Sequence, residues 1–81
     1  MIEKQLKKLI KECMDIDVNQ LTDEEKAYPL LSARLGGMPY QMLVLFVKVE
    51  NTFGIEIDSQ KVADGKFNAY TDILRLIEET L

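Results

Sequence analysis

Residues 35–54 read LGGMPYQMLVLFVKVENTFG, and this stretch decides the fold. Pro39 opens an apolar run directly after Gly36-Gly37-Met38. Proline suits the first helical position, because its ring holds φ near the helical value and its missing N–H would have no intrahelical partner there. Val44, Val47 and Val49 are β-branched and could suggest a strand. However, the run shows no period-two alternation, and Gly54 stands where a helix C-cap would be. The stretch therefore predicts a helix from Pro39 to Thr52 or Phe53.

Outward from this helix the chain keeps a helical period at both ends. Ile2, Leu6, Leu9, Ile10 and Cys13 recur with Lys4, Lys7, Lys8 and Lys11 on the other side, which predicts an amphipathic helix over 2–14. After Ile55-Glu56-Ile57, Asp58 or Ser59 can cap a short helix over Gln60 to Ala63 that Gly65 stops. Asn68 or Thr71 then caps a last helix, with Ile73, Leu74, Ile77 and Leu81 inward and Asp72, Arg75, Glu78 and Glu79 outward. Between Asp15 and Met38 the period lapses, and Asp17, Asn19, Thr22, Asp23 and Gly36-Gly37 supply turn and cap chemistry. A loop this long stays ordered when apolar residues pin it, here Ile16, Val18, Leu21, Leu30, Leu31 and Leu35, with a helical turn near Asp23 to Ala27. The expected fold is all-α, a single domain over 1–81 built as a bundle of three main helices plus one short helix.

Composition narrows the function. The chain has 81 residues, 30% of them charged and 47% hydrophobic, and carries a net charge of -4. That balance suits a folded acidic domain and not a phosphate-binding surface, which needs a basic footprint; no nucleic-acid partner is expected. The longest apolar run, Met42 to Val47, is far shorter than the roughly 20 residues that span a bilayer, so no membrane partner is expected and the location read is cytoplasmic. Cys13 is the single cysteine and there is no histidine, so neither an internal disulfide nor a Cys-His nucleophile can form. With no nucleophile–base pair, the chain is read as not an enzyme, without cofactor or metal.

Three local patterns have simpler readings than chemistry. Asp15, Asp17, Asn19 and Asp23 imitate a calcium loop, but the sixth place is Gln20 where glycine is needed and the twelfth is Lys26 where a bidentate glutamate is needed. Gly36-Gly37 before a helix lacks the rest of a phosphate-loop pattern and is read as a turn. Glu24-Glu25 and Glu78-Glu79 point different ways on the polar sides of their helices and are read as solvated charges.

The order of elements, with Leu35-Gly36-Gly37 before the central helix, Val49-Glu50-Asn51-Thr52-Phe53 at its end and Ile55 and Ile57 beyond, resembles the acyl carrier proteins along nearly the whole chain. That family's signature is Leu-Gly-x-Asp-Ser-Leu, and its serine carries a phosphopantetheine arm. The resemblance places Pro39 at the serine and Met38 at the preceding aspartate, so the attachment position has no hydroxyl. Ser59, after Asp58, and Ser32 are the available substitutes, and a helix cap is the simpler role for Ser59. The start Pro39-Tyr40-Gln41-Met42 on such a scaffold looks like the acyl-carrier-related proteins of bacterial peptide (bacteriocin-type) maturation systems. This implies a non-catalytic accessory module whose partner is a peptide-modifying enzyme or its peptide substrate. The alternative is a genuine acyl or peptidyl carrier using Ser59 or Ser32.

Acyl carrier proteins commonly display acids on this helix, and here the pattern differs. At about 100° per residue, Leu43, Leu45, Phe46, Val49 and Phe53 fall on or near the core arc, and Gln41, Lys48 and Asn51 mark the opposite face. Tyr40, Val44 and Val47 intrude on that polar side as one stripe. The expected partner-binding set is therefore Met38, Tyr40, Gln41, Val44 and Val47, facing a protein partner or a second copy in a weak homodimer, unless the long loop covers the stripe.

Overall fold

The computed structural model describes residues 2–81. Among them the chain forms five α-helices: α1 Ile2–Met14, α2 Asp23–Lys26, α3 Pro39–Phe53, α4 Ser59–Ala63 and α5 Tyr70–Thr80, with a 3₁₀ turn at Val18–Gln20. α2 and α4 are single turns, so α1, α3 and α5 carry the bundle, as expected for an all-α fold. α1 packs chiefly on α3 and next on α5. No helix among the described residues is long and apolar enough to cross a membrane.

Helix boundaries follow the local chemistry. α3 begins with Pro39 at its first position and ends at Gly54, whose φ of 64° gives the left-handed cap that a side chain would resist. α2 starts with a capping box, in which Thr22 Oγ1 accepts from Glu25 N–H while a Glu25 carboxylate oxygen accepts from Thr22 N–H. The hydrogen bond from the Thr22 backbone, followed by that from Arg34, holds the Glu25 carboxyl below its ordinary pKa. The Arg34 guanidinium also lies 5.7 Å from the centre of the Tyr28 ring, which ties the two ends of the loop turn together. α5 corrects the sequence expectation. Its cap is Ala69, not Asn68 or Thr71, and the Asp72 carboxylate three residues on accepts from the Ala69 N–H in place of a capping side chain.

The core joins Leu6, Leu9, Ile10 and Met14 of α1, Leu45 and Val49 of α3, and Tyr70, Ile73, Leu76 and Ile77 of α5. The long loop closes it with Ile16, Val18 and Leu30, all buried, and with Leu21 and Leu35 packed at its edge. Leu31, expected among the pins, is exposed, because Leu30 takes the inward position beside it. Leu81, expected on the inner face of α5, is also exposed, since the helix stops at Thr80 and the stripe is completed by Leu76.

Three backbone contacts close the loop. Leu30 N–H donates to Asn68 O, Gly37 N–H donates to Leu30 O at 2.9 Å, and Pro29 bridges to Ala69. Gly37 sits so close that a Cβ there would overlap the Leu30 carbonyl oxygen and press on the Met14 methyl. Gly37→Ala should therefore cost about 1–3 kcal/mol by overpacking against backbone that cannot yield, read as a lower urea midpoint. Tyr70 predicts the opposite sign. Its ring is buried and its hydroxyl has no hydrogen-bond partner among the described residues. Removing an orphaned polar group leaves the packing and relieves desolvation, so Tyr70→Phe should melt at or above the parent's temperature, with a gain of up to about 1 kcal/mol.

Candidate functional site

α3 is apolar almost all the way round, yet the bundle buries only one side of it. Leu45 and Val49 are fully buried, and Met42, Phe46 and Phe53 pack half-buried beside them. Phe46 meets Phe67 edge to face with ring centres 5.3 Å apart, which fixes how far the helix turns inward. On the other side Tyr40 is 62% exposed, Leu43 71%, Val44 44% and Val47 53%, and Met38 just before the helix is 51% exposed. The long loop does not cover them, because its buried residues Ile16, Val18 and Leu30 go to the core.

Leu43 is a correction. It was expected near the core arc, but its position is about 100° from the middle of the buried side set by Leu45, Val49, Met42 and Phe46. It joins the outer stripe and is its most exposed large side chain. Gln41 departs in the opposite sense. It is half-buried, and its Oε1 accepts from the Met38 N–H at 2.9 Å, so it caps its own helix instead of facing outward. Of the expected partner-binding residues, then, Tyr40, Val44 and Val47 share one exposed face with Leu43, Met38 is exposed at the cap before the helix, and Gln41 supports the helix start from within.

Charge is sparse on this surface. α3 carries only Lys48 and Glu50, and Glu50 turns towards the chain after the helix, where a carboxylate oxygen accepts from Ile57 N–H at 2.9 Å. Lys48 remains exposed at the flank of the stripe, opposite Leu43, with Asn51 and Thr52 beyond it. The outer face of α3 is thus an apolar stripe with a single cation at its edge.

The position that the resemblance aligns with the family's serine, and the two serines read as substitutes for it, are equally plain. Pro39 is exposed at the first turn of α3 with Met38 as the preceding cap residue, and neither offers a hydroxyl. Ser32 is half-buried, and its hydroxyl lies 3.4 Å from the Leu35 N–H as acceptor. Ser59 is exposed at the first position of α4. The cap assigned to it is made by Asp58, whose carboxylate accepts from Gln60 N–H at 2.9 Å, so the Ser59 side chain is not used by the helix start.

The remaining candidates have structural roles. Lys11 donates to the Asp15 carboxylate at 2.8 Å and lowers its pKa, Asp17 accepts from Asn19 N–H, and Asp23 pairs with Lys26. No group of three or more metal-ligating side chains comes together among the described residues. The Gly37 N–H, which could have faced a phosphate, donates to Leu30 O. Cys13 is half-buried, and desolvation pushes its thiol pKa up, away from a reactive thiolate, with Lys48 opposing only in part. The fold does gather Lys4, Lys7, Lys8 and Lys11 around one concave surface, but Glu3, Asp17 and Glu78 line it too and offset most of the charge.

Comparisons with family models, with characterised proteins and with solved structures give no match to this chain.

The outer and inner faces of α3 should respond differently to substitution. Val44→Glu adds charge to an exposed site and should shift stability by no more than about 0.5 kcal/mol. Leu45→Ala, one residue on, should cost about 2–5 kcal/mol by opening a cavity between α1 and α3. Thermal melts of the two variants beside the parent test this, and a sharp fall for Val44→Glu would mean that the stripe is covered.

Proposed function

We propose that this protein is a non-catalytic interaction module on an acyl-carrier-like helical scaffold, which binds a protein partner through the outer face of α3. The observation that carries this reading is the stripe Tyr40, Leu43, Val44 and Val47, exposed together on a small domain that has enough other apolar side chains to fill its core, with Met38 exposed at the cap before it. Contiguous exposed apolar surface on a small soluble domain marks a place where something docks. The partner class, a peptide-modifying enzyme or its peptide substrate in a bacterial maturation system, rests on the resemblance of the Leu35–Met42 stretch alone. Under this reading the domain holds no phosphopantetheine, because Pro39 stands where the arm would be attached.

The exposed Ser59 hydroxyl, left free by the Asp58 cap, favours one second reading, a carrier loaded at that serine. A carrier needs a phosphodiester bond between a serine Oγ and the arm of coenzyme A, and so a defined gain in mass. Incubation with a phosphopantetheinyl transferase and coenzyme A, followed by intact-protein mass spectrometry, separates the two. The parent chain should show no gain; a gain that Ser59→Ala abolishes would establish the carrier instead. Pro39→Ser should keep the helical circular dichroism of the parent, since the first turn of a helix accepts serine and Gln41 still caps Met38.

A further inference from the structure

The outer stripe of α3 has the form of a self-complementary surface, and we propose that its occupant is a second copy of this chain, paired antiparallel about a two-fold axis near Leu43 and Val44. This rests on the reading above that the outer face of α3 docks a protein, and assigns that face to a second copy in place of the partner class that the resemblance implies. In a two-fold interface each residue meets the residue equally far from the axis on the other copy. With the axis at Val44, four residues on either side lead to Tyr40 and Lys48. Each Tyr40 ring then lies beside Val47 and Lys48 of the partner copy, an apolar contact on one side and a cation over the ring on the other. Leu43 and Val44 flank the axis and meet their own counterparts.

The charges and the area fit the same arrangement. A different protein is usually guided by opposite charges, and this face offers only Lys48 for that purpose. The two Lys48 side chains of the dimer start about 12 Å apart along the helices, beyond the roughly 8 Å over which exposed charges act at physiological salt, so they do not oppose pairing. The four exposed side chains of the stripe present on the order of 400 Å² of apolar surface, within the size of patches that function as contacts. Two copies would bury about 800 Å² in total, in the range of weak, transient contacts, which sets a concentration-dependent dimer and not a permanent one.

Symmetry makes the proposal testable in a Cys13→Ser background, which removes the native thiol. Val44→Cys places two thiols across the axis, within reach of the roughly 4–7 Å between Cα atoms that a disulfide needs, whereas Asn51→Cys places them about 20 Å apart on the same face. Mild oxidation should therefore yield covalent dimer from Val44→Cys and not from Asn51→Cys. Sedimentation of the parent chain from about 10 μM to about 1 mM should show monomer passing to dimer, and Val44→Glu should weaken that association at least about tenfold while melting like the parent. A dimer that survives Val44→Glu, or cross-linking through Asn51→Cys in preference to Val44→Cys, would overturn the proposal by placing the interface elsewhere. A chain that stays monomeric throughout, with Val44→Glu melting as the parent does, would also overturn it while leaving the docking reading standing. A steep loss of stability in Val44→Glu would remove both.

Discussion

Where α3 begins is fixed by the approach of Gly37 to the Leu30 carbonyl, and the rest of the structure depends on that contact. The backbone of the long loop reaches the core at Leu30, which is buried and held by Asn68 from the start of the last helix. Gly37 then donates back to Leu30, with Met14 at the end of α1 lying against the same atom position. Three remote parts of the chain therefore meet at one residue with no side chain. Any Cβ would push α3 away from α1 or lift the loop from α5. Because Met38 and Pro39 follow at once, the same contact also aims the first turn of α3 and so sets which of its faces turns to solvent.

That orientation leaves α3 with more apolar surface than the bundle can use. α1 and α5 each pair a buried stripe with charged residues outside, as an amphipathic helix does. α3 buries Leu45 and Val49 completely and then runs out of neighbours, because α1 is the one helix that packs extensively on it among the described residues. Burying a side chain such as leucine or valine is worth about 1.5–3 kcal/mol, against a whole-domain stability of about 5–15 kcal/mol. Leaving Tyr40, Leu43, Val44 and Val47 in water forgoes several such contributions. Polar residues at those positions would leave the packing of Leu45 and Val49 untouched, so the core does not require the apolar stripe, and the docking proposed above would account for it.

The three main helices were legible from periodicity because each carries its own signals: a 3.6-residue stripe in α1 and α5, and a Pro start and Gly stop in α3. The loop pins Ile16, Val18 and Leu30 were legible for a similar reason, since a long ordered loop must bury something. What the pattern could not resolve lies where it is uninformative. From Met42 to Val47 every residue is apolar, so angle alone had to divide core from surface, and Leu43 lies close to the boundary; the Phe46–Phe67 contact, which no local pattern encodes, turned it outward. The cap of α4 stayed open between Asp58 and Ser59 because both are capable, and Asp58 takes it, whereas the cap of α5 falls on Ala69 and not on Asn68 or Thr71 because Asp72 supplies the hydrogen bond from inside the helix. Tertiary contact decided each case among locally equivalent options.

The start of α3 joins the two features on which the functional reading turns. On the acyl-carrier-like reading proposed here, Met38 and Pro39 replace an acid and a hydroxyl that would carry a flexible arm, and the replacements are not inert fillers. Met38 is exposed at the cap of α3, while Pro39 holds the first turn rigid between Met38 and Tyr40. Gln41 reinforces the same turn by accepting the Met38 N–H, a bond that fixes the cap residue without adding charge to the surface. A tethered arm needs a reactive hydroxyl with open space around it, whereas a docking face needs a stiff, uncharged, continuous surface. Proline, methionine and the inward glutamine each move the site in the second direction. On that reading a single Pro39→Ser substitution would be structurally easy, because the first turn of a helix accepts serine, but chemically incomplete as a carrier site, since Met38 would still supply no acid beside the new hydroxyl.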